Sequence, residues 1–520
     1  MIQNLTNYSE ASQWLKSKTH GSLCGDSRVI QAGDAFIAWP GYAQDARAYV
    51  NSALNKGAKA CLVEKEGVEA YNQNWDESLV ATYQGLKADG GLIADAYYEH
   101  PSRSVEVLAV TGTNGKTSIA WWLSAALAKL GSRCGVIGTL GVGEMKPSDN
   151  QASPSELLKN FKANGLTTPD PFTLNRSLKQ FKDSGVKYCA LEASSIGIVE
   201  HRLSGTKINT AIFTNLSRDH LDYHQSVENY WNAKSSLFDS PELVCAVINV
   251  DDPRGVELYE RLQSKGQNKD SKLKIIRVSE SGNGDLNATN ISYPNSRGGL
   301  GFTVINSQVN EGLQSTLIET SLVGRYNVSN LLCVIATLCN LGYRLEDIGR
   351  VCSEISPVVG RMQSINQRTL TAPLVIVDYA HTPDALEKAL ESLKPLTKSG
   401  GQLHCLIGCG GDRDKGKRPQ MALAAYKNAH KVLLTSDNPR SENPQTIIED
   451  MLRGLEGLDR SKILIEVDRA QAIQAILKNS TAGDIVLIAG KGHEDYQEIN
   501  GIKTKFSDTE QALSVMEVSQ

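Results

Sequence analysis

No stretch of this sequence is both long and apolar enough to span a bilayer, and no basic run leading into an apolar core opens it, its first residues being Met1-Ile2-Gln3-Asn4. These absences lead to the expectation of a cytoplasmic protein without membrane insertion. A basic excess is missing too. The 54 Lys and Arg stand against 58 Asp and Glu, for a formal net charge of -4, so there is no overall cationic surface for nucleic acid or an anionic membrane. Ten cysteines are scattered, and Cys405 and Cys409 lack the two-residue spacing of a zinc or redox motif. Reduced, mostly buried thiols are expected, as is a protein that works on small molecules. No repeat at solenoid spacing occurs.

What is present is ordinary globular material, 40% apolar and 22% charged. Cores divide at roughly 100 to 200 residues, so a chain of 520 predicts several domains. Short apolar strands alternating with turns and helices predict an α/β protein of three: an N-terminal domain over 1–103, a central P-loop ATPase-like domain over 104–358, and a Rossmann-like, doubly wound domain over 359–520. In the last, strands at 374–377, 404–407, 432–434, 463–465 and 485–488 should run mostly parallel, with ligands beyond their C-termini. Residues 143–165 turn polar and lose periodicity, which predicts an exposed loop.

The strongest motif follows the strand at 105–110. Gly112-Thr113-Asn114-Gly115-Lys116-Thr117-Ser118 precedes a helix with Ile119, Trp122, Leu123, Ala126, Leu127 and Leu130 on one face. Triphosphate oxygens need many close donors, which the N–H groups around glycines supply, while a lysine neutralises charge and a hydroxyl reaches Mg²⁺. ATP binding is therefore predicted, with Mg²⁺. The general pattern wants its first glycine where this chain has Val110. Glu192 at a strand end and His220 in the Asn215–Asp222 stretch are candidate Mg²⁺ partners beside the loop. Lys234 would read on pattern alone as an ordinary surface lysine.

The shortened loop resembles that of the Mur ligases and the related folylpolyglutamate synthetases. Within them the chain is similar along essentially its whole length to the UDP-N-acetylmuramoyl-tripeptide synthetases. Asp26-Ser27-Arg28, Leu166-Thr167-Thr168-Pro169, Gly324–Asn330 and Gly360-Arg361-Met362 carry the likeness. It departs at Ile196, Glu200 and Gln363, where that family commonly has His, Gln and Glu.

The resemblance implies transfer of the ATP γ-phosphate to the D-Glu carboxylate of UDP-MurNAc-L-Ala-D-Glu, then attack by an amine on the acyl phosphate. It implies Lys116, Glu192, His220 and a carbamylated Lys234 as catalytic residues, with Thr117, Glu192, His220 and Lys234 facing the metal. Ser27, Thr167, Thr168, Ser194, Glu200 and Arg202 would hold the dipeptide substrate. Asp437-Asn438-Pro439-Arg440 puts a guanidinium beyond a strand end, and arginine grips carboxylates in a two-pronged fork. meso-Diaminopimelate has a distal carboxylate for that fork and L-lysine does not, so Arg440 points to diaminopimelate. Arg413, Gly490 and Glu494 match further contacts of the diaminopimelate-adding members. A lysine-adding synthetase, a folylpolyglutamate synthetase-like ligase and a non-catalytic ATP-binding regulator are the alternatives. A monomer is expected.

Overall fold

The computed structural model describes residues 2–41, 44–150, 152–266, 273–293, 299–307, 314–365, 372–397 and 400–518. Three stacked α/β units follow one another along the chain. The first is a five-stranded parallel sheet in the order Gln3–Leu5, Val80–Tyr83, Ala60–Glu64, Ala35–Ala38, Leu23–Cys24. Leu15 and Ile93, from helices Tyr8–Lys18 and Leu86–Tyr97, cover one face of it. Phe172, from helix Pro171–Asp183 of the next unit, enters that same core.

A ten-stranded sheet forms the second unit. Its centre is parallel and contains Cys245–Asn249, Ile208–Phe213, Glu106–Thr111, Tyr188–Glu192 and Cys134–Gly138 in spatial order. Successive side chains of a strand point to opposite faces. Leu108 and Val110 accordingly join the core under helices Lys116–Lys129 and Tyr326–Asn340, while Val107 and Ala109 join that under Pro171–Asp183. Burial on both faces is what a parallel sheet requires. At the far side lie Lys274–Ser279, Leu286–Ser292, Leu300–Asn306 and Gln314–Thr320, the last two antiparallel. None of these four strands is predicted above.

Two local expectations are corrected. The helix after the glycine loop is not apolar on one face only. Ala120, Trp121 and Ser124 are as buried as Trp122 and Leu123, Trp121 lying against Phe161 and Ser124 Oγ donating to the Cys134 carbonyl at 2.9 Å. The segment 143–165 is not simply a loop either, apart from residue 151, which lies outside the described residues. Strand Gly141–Met145 pairs antiparallel with Cys134–Gly138, and helix Pro154–Leu158 carries a reciprocal cap between Ser153 and Glu156. Phe161 packs on Trp121 with ring centroids 5.3 Å apart, and a Cβ at Gly143 would lie 2.4 Å from the Phe161 ring. Glycine thus replaces the apolar residue that would have betrayed the strand.

The third unit is a six-stranded sheet ordered Gln363–Ser364, Leu374–Asp378, Ile485–Ala489, Leu403–Ile407, Lys431–Leu434, Ile463–Ile465. All its pairs are parallel except the first. Helices Pro383–Leu393, Lys417–Asn428 and Pro444–Arg453 cover one face, and Arg469–Lys478 and Asp508–Val518 the other. This is the doubly wound arrangement the alternation predicts. An unpredicted hairpin, Tyr496–Ile499 with Ile502–Lys505, stands beside it. The ten cysteines are all free thiols, and eight are buried. Among the described residues no helix is long and apolar enough to cross a membrane.

Candidate active site

The glycine loop leaves the sheet at Thr111 and enters its helix at Lys116. Gly112 has φ of +144° and Gly115 of +91°, and a Cβ on them would lie 1.8 Å from Thr214 Oγ1 and 2.4 Å from Asn330 Oδ1. Both positions therefore exclude a side chain by conformation and by space. Neighbouring strand ends hold the loop: Asn114 N donates to Asn215 Oδ1 at 3.0 Å, and Thr214 Oγ1 to the Asn114 carbonyl at 2.6 Å. Val110, where the general pattern has glycine, is fully buried inside the strand. The loop is short because the sheet continues through that position.

Two lysines meet at one carbonyl. Lys116 Nζ donates to the Gly112 and Thr113 carbonyls at 2.8 Å, and Lys234 Nζ reaches the same Gly112 oxygen at 2.8 Å from helix Val227–Ser235. Lys234 is 1% exposed, with its ammonium 4.4 Å from the Tyr230 ring centre. Burial lowers the Lys116 pKa. Burial and then the Lys116 charge hold Lys234 well below the ordinary lysine value. Opposite them Thr117 Oγ1 donates to Glu192 Oε2 at 2.9 Å, and Glu192 also accepts from Thr139 N at 2.8 Å and Thr139 Oγ1 at 3.1 Å. Gly138 makes the room, since a Cβ there would meet Glu192 Oε1 at 2.2 Å. His220, at a left-handed φ of +52°, lies 3.5 Å from Asp219. Burial, opposed by Asp219 and seconded by Lys116 and Lys234, holds its imidazole below the ordinary value.

Lys116, Thr117, Thr139, Glu192, Asp219, His220 and Lys234 line one cavity of about 740 Å³. Thr167 and Ser194 line it too, Thr167 within 3.1 Å of Thr139. Thr168 is buried behind them, bonding the Glu192 carbonyl at 2.7 Å and Ser194 Oγ at 2.9 Å, while its own carbonyl accepts from Arg202 at 2.8 Å. Glu200 is engaged by Lys87, 2.7 Å away on the first unit, and by the Tyr223 hydroxyl. Glu200, Arg202 and Ser27 are not on the cavity wall. Ser27 lies in the first unit, its carbonyl 2.8 Å from Lys56 Nζ.

The third unit adds Arg361 and His381 to this cavity, neither of them assigned above, and brings Asp384 to the glycine loop. Arg361 donates to Thr117 Oγ1 at 3.2 Å and stacks 4.3 Å from the Tyr379 ring, its buried Nε having no hydrogen-bond partner. His381 lies 4.0 Å from Asp219, and Asp384 accepts from Asn114 Nδ2 at 3.2 Å. For His381 the signal was position, since Asp378-Tyr379-Ala380-His381 follows a strand end. No pattern in the sequence says which neighbour such residues will meet.

Arg413, Asp437, Asn438, Pro439, Arg440, Gly490 and Glu494 form a second cluster, off that cavity wall, at the C-terminal ends of Leu403–Ile407, Lys431–Leu434 and Ile485–Ala489. Arg440 Nη1 donates to the Gly411 carbonyl at 2.7 Å, and Nε lies 3.8 Å from Glu498. Its side chain is only 20% exposed. A Cβ at Gly410 would come within 3.0 Å of that guanidinium and 3.9 Å of the Arg413 side chain. Asn438 donates to Glu494 at 2.8 Å, and Lys491, fully buried and not singled out by the sequence, bonds Asn438 at 3.1 Å and Glu494 at 3.0 Å. Gly490 keeps space for Asp437, whose carboxylate a Cβ would meet at 2.7 Å.

Residues 110–338 match the Mur ligase middle domain, and 360–492 the Mur ligase glutamate ligase domain. The UDP-N-acetylmuramoyl-L-alanyl-D-glutamate--2,6-diaminopimelate ligase of Acidovorax sp. (strain JS42) is 46% identical over 99% of this chain and 98% of its own. The ligase of the same name from Pseudomonas aeruginosa is 42% identical over 94% and 93%. A solved structure of such a ligase superimposes with a TM-score of 0.63 at 33% identity, covering 96% of this chain and 95% of that one. The MurF ligase of Thermotoga maritima in complex with ADP shares the fold, with a TM-score of 0.63 at 16% identity and 96% and 97% coverage.

Proposed function

The chain belongs to the Mur ligase family, and from that premise we propose that it joins meso-diaminopimelate to the D-Glu carboxylate of UDP-MurNAc-L-Ala-D-Glu, cleaving ATP to ADP and phosphate, in peptidoglycan precursor synthesis. The two ligases of that name, similar to this chain along nearly its whole length, support the assignment. The observation that carries it is a nucleotide-type cavity lined by Lys116, Glu192 and Lys234, with Arg440 seated at the end of the neighbouring parallel sheet.

A carboxylate resists amines because its leaving group would be oxide. Phosphorylation by ATP gives an acyl phosphate, and the amine nitrogen then attacks the carbonyl carbon, the C–O bond to phosphate breaks, and inorganic phosphate departs. Gly112 to Ser118 hold the triphosphate, with Lys116 swinging from the Gly112 and Thr113 carbonyls to the phosphate oxygens. The hydroxyl of Thr117 and the carboxylate of Glu192 are hard oxygen donors that fit Mg²⁺, with His220 beside them. Bound there, Mg²⁺ would neutralise phosphate charge. Burial favours the neutral form of the Lys234 amine, the form whose lone pair can attack CO₂; the N–C bond forms, one proton leaves the nitrogen, and the neutral amine becomes a carbamate anion facing the same space.

Thr167 and Ser194 line the cavity where the D-Glu carboxylate would be phosphorylated, and Ser27, Thr168, Glu200 and Arg202 hold the rest of that substrate. Arg440 takes the distal carboxylate of diaminopimelate, with Arg413, Asp437, Asn438, Pro439, Gly490 and Glu494 around it. The units 1–103, 104–358 and 359–520 thus serve the UDP substrate, ATP and the amino acid, in a cytoplasmic monomer. With Mg²⁺ and ATP, the purified protein should release phosphate only when UDP-MurNAc-L-Ala-D-Glu and meso-diaminopimelate are both supplied. Equal turnover with L-lysine would overturn the choice of amino acid.

A further inference from the structure

We infer that the Tyr496–Lys505 hairpin is a clamp that positions Arg440, with Gln497 and Gly501 as positioning residues for recognition of the distal carboxylate of the incoming amino acid. The inference rests on the reading of Asp437–Arg440 as the diaminopimelate site.

Four hydrogen bonds tie residues 497–500 to 437–440. Gln497 Nε2 donates to the Asp437 carbonyl at 2.7 Å, and Glu498 N to Asn438 Oδ1 at 3.0 Å. Arg440 N donates to the Glu498 carbonyl at 3.0 Å, and Asn500 N to the Arg440 carbonyl at 2.6 Å. The last two make a parallel bridge between Arg440 and Ile499. They matter because Arg440 has φ of +51°, a left-handed conformation that a residue with a Cβ holds only when its surroundings impose it. Both backbone groups of Arg440 are committed to the hairpin, so the hairpin fixes the point from which the guanidinium reaches out.

The hairpin has little else to do. Its second strand, Ile502–Lys505, is exposed at every residue, Ile502 by 66%, and pairs with Tyr496–Ile499 alone. Core burial therefore does not explain it. Its own shape is set by Asn500-Gly501, both with positive φ, the two-residue turn whose twist suits a hairpin.

The test measures kcat/KM for meso-diaminopimelate and for L-lysine, and KM for ATP, in the full-length enzyme and two variants. Gly501→Val puts a branched side chain on a φ of +76° where nothing lies within 4 Å, so it disturbs the turn without a clash. It should lower the preference for diaminopimelate over lysine roughly tenfold and leave the ATP KM within about twofold. Gln497→Glu keeps the shape but removes the donor to Asp437, and should lower the preference roughly threefold. An unchanged preference in both variants, or a parallel loss of ATP affinity, overturns the clamp. A wild-type enzyme that turns over both amino acids equally overturns instead the amino-acid assignment on which it rests.

Discussion

The nucleotide loop and the acceptor segment solve one problem in opposite ways. Each needs left-handed backbone at a strand end. In the loop, that conformation falls on Gly112 and Gly115, which adopt it freely, and Thr214 and Asn215 only fasten it. In the acceptor segment, Asp437–Arg440, it falls on Arg440, the residue proposed to grip the incoming amino acid, and a hairpin some sixty residues later holds it there. Left-handed backbone carried by glycine is written into a motif and supported nearby. Strain carried by a working side chain must be supported by something distant, and that support carries no motif.

The sharpest way to break this contrast is to remove long-range support from the acceptor side alone. Fully buried Arg469 pairs with Asp508 and donates to the carbonyls of Ser436 and Ala489, the residues just before the Asp437 and Gly490 segments. Asp508→Ala leaves that guanidinium buried without its counter-charge and should cost about 3–5 kcal/mol. Denaturant unfolding should show an early transition of the third unit, and an unchanged midpoint would mean that the pair supports nothing.

On the nucleotide side, Lys234→Ala should cut kcat by roughly 10²–10³-fold while moving the diaminopimelate KM by less than about twofold. Partial rescue by short carboxylates such as formate would mark the lost group as an anion, and an undiminished rate would reject the role. Arg440→Ala should do the reverse, raising the diaminopimelate KM by roughly 10–100-fold, the worth of a charge-assisted contact, with the ATP KM nearly constant. A larger effect on ATP would dissolve the distinction between the two regions.

The smallest effect lies between them. His493 backs onto Gly360, next to Arg361, which reaches Thr117 in the nucleotide cavity. Burial, then Arg361 and Lys491, push its imidazole from 6.5 down to about 3. As pH falls below about 6.5 the unfolded chain takes up this proton while the folded chain refuses it until near 3. The stability involved is whole above pH 6.5 and is lost progressively between 6.5 and 3. His493→Gln should flatten the fall in melting temperature across that window, and a parallel pH profile in the variant would refute the assignment.

The parallel strands of the third sheet were legible because buried strands are short apolar runs bounded by turns, and the glycine loop because phosphate binding demands particular residues in a fixed order. The four strands between Lys274 and Thr320 were not read, and neither was the Tyr496–Lys505 hairpin, although Asn500-Gly501 is a strong hairpin signal. Ser153-Pro154-Ser155-Glu156 likewise announced a helix start inside what reads as a loop.

Other features had no local signal at all. That Lys116 and Lys234 share one carbonyl, that Arg361 and Asp384 reach across to the glycine loop, that Lys87 pairs with Glu200, and that Lys491 is buried between Asn438 and Glu494 each depend on which side chain another part of the chain delivers. Periodicity, capping and phosphate-loop chemistry act over a few residues, so residue order can specify them. Contacts of this second kind depend on distances of a few ångströms between segments 53 to 270 residues apart, and those distances exist only once the sheets have packed.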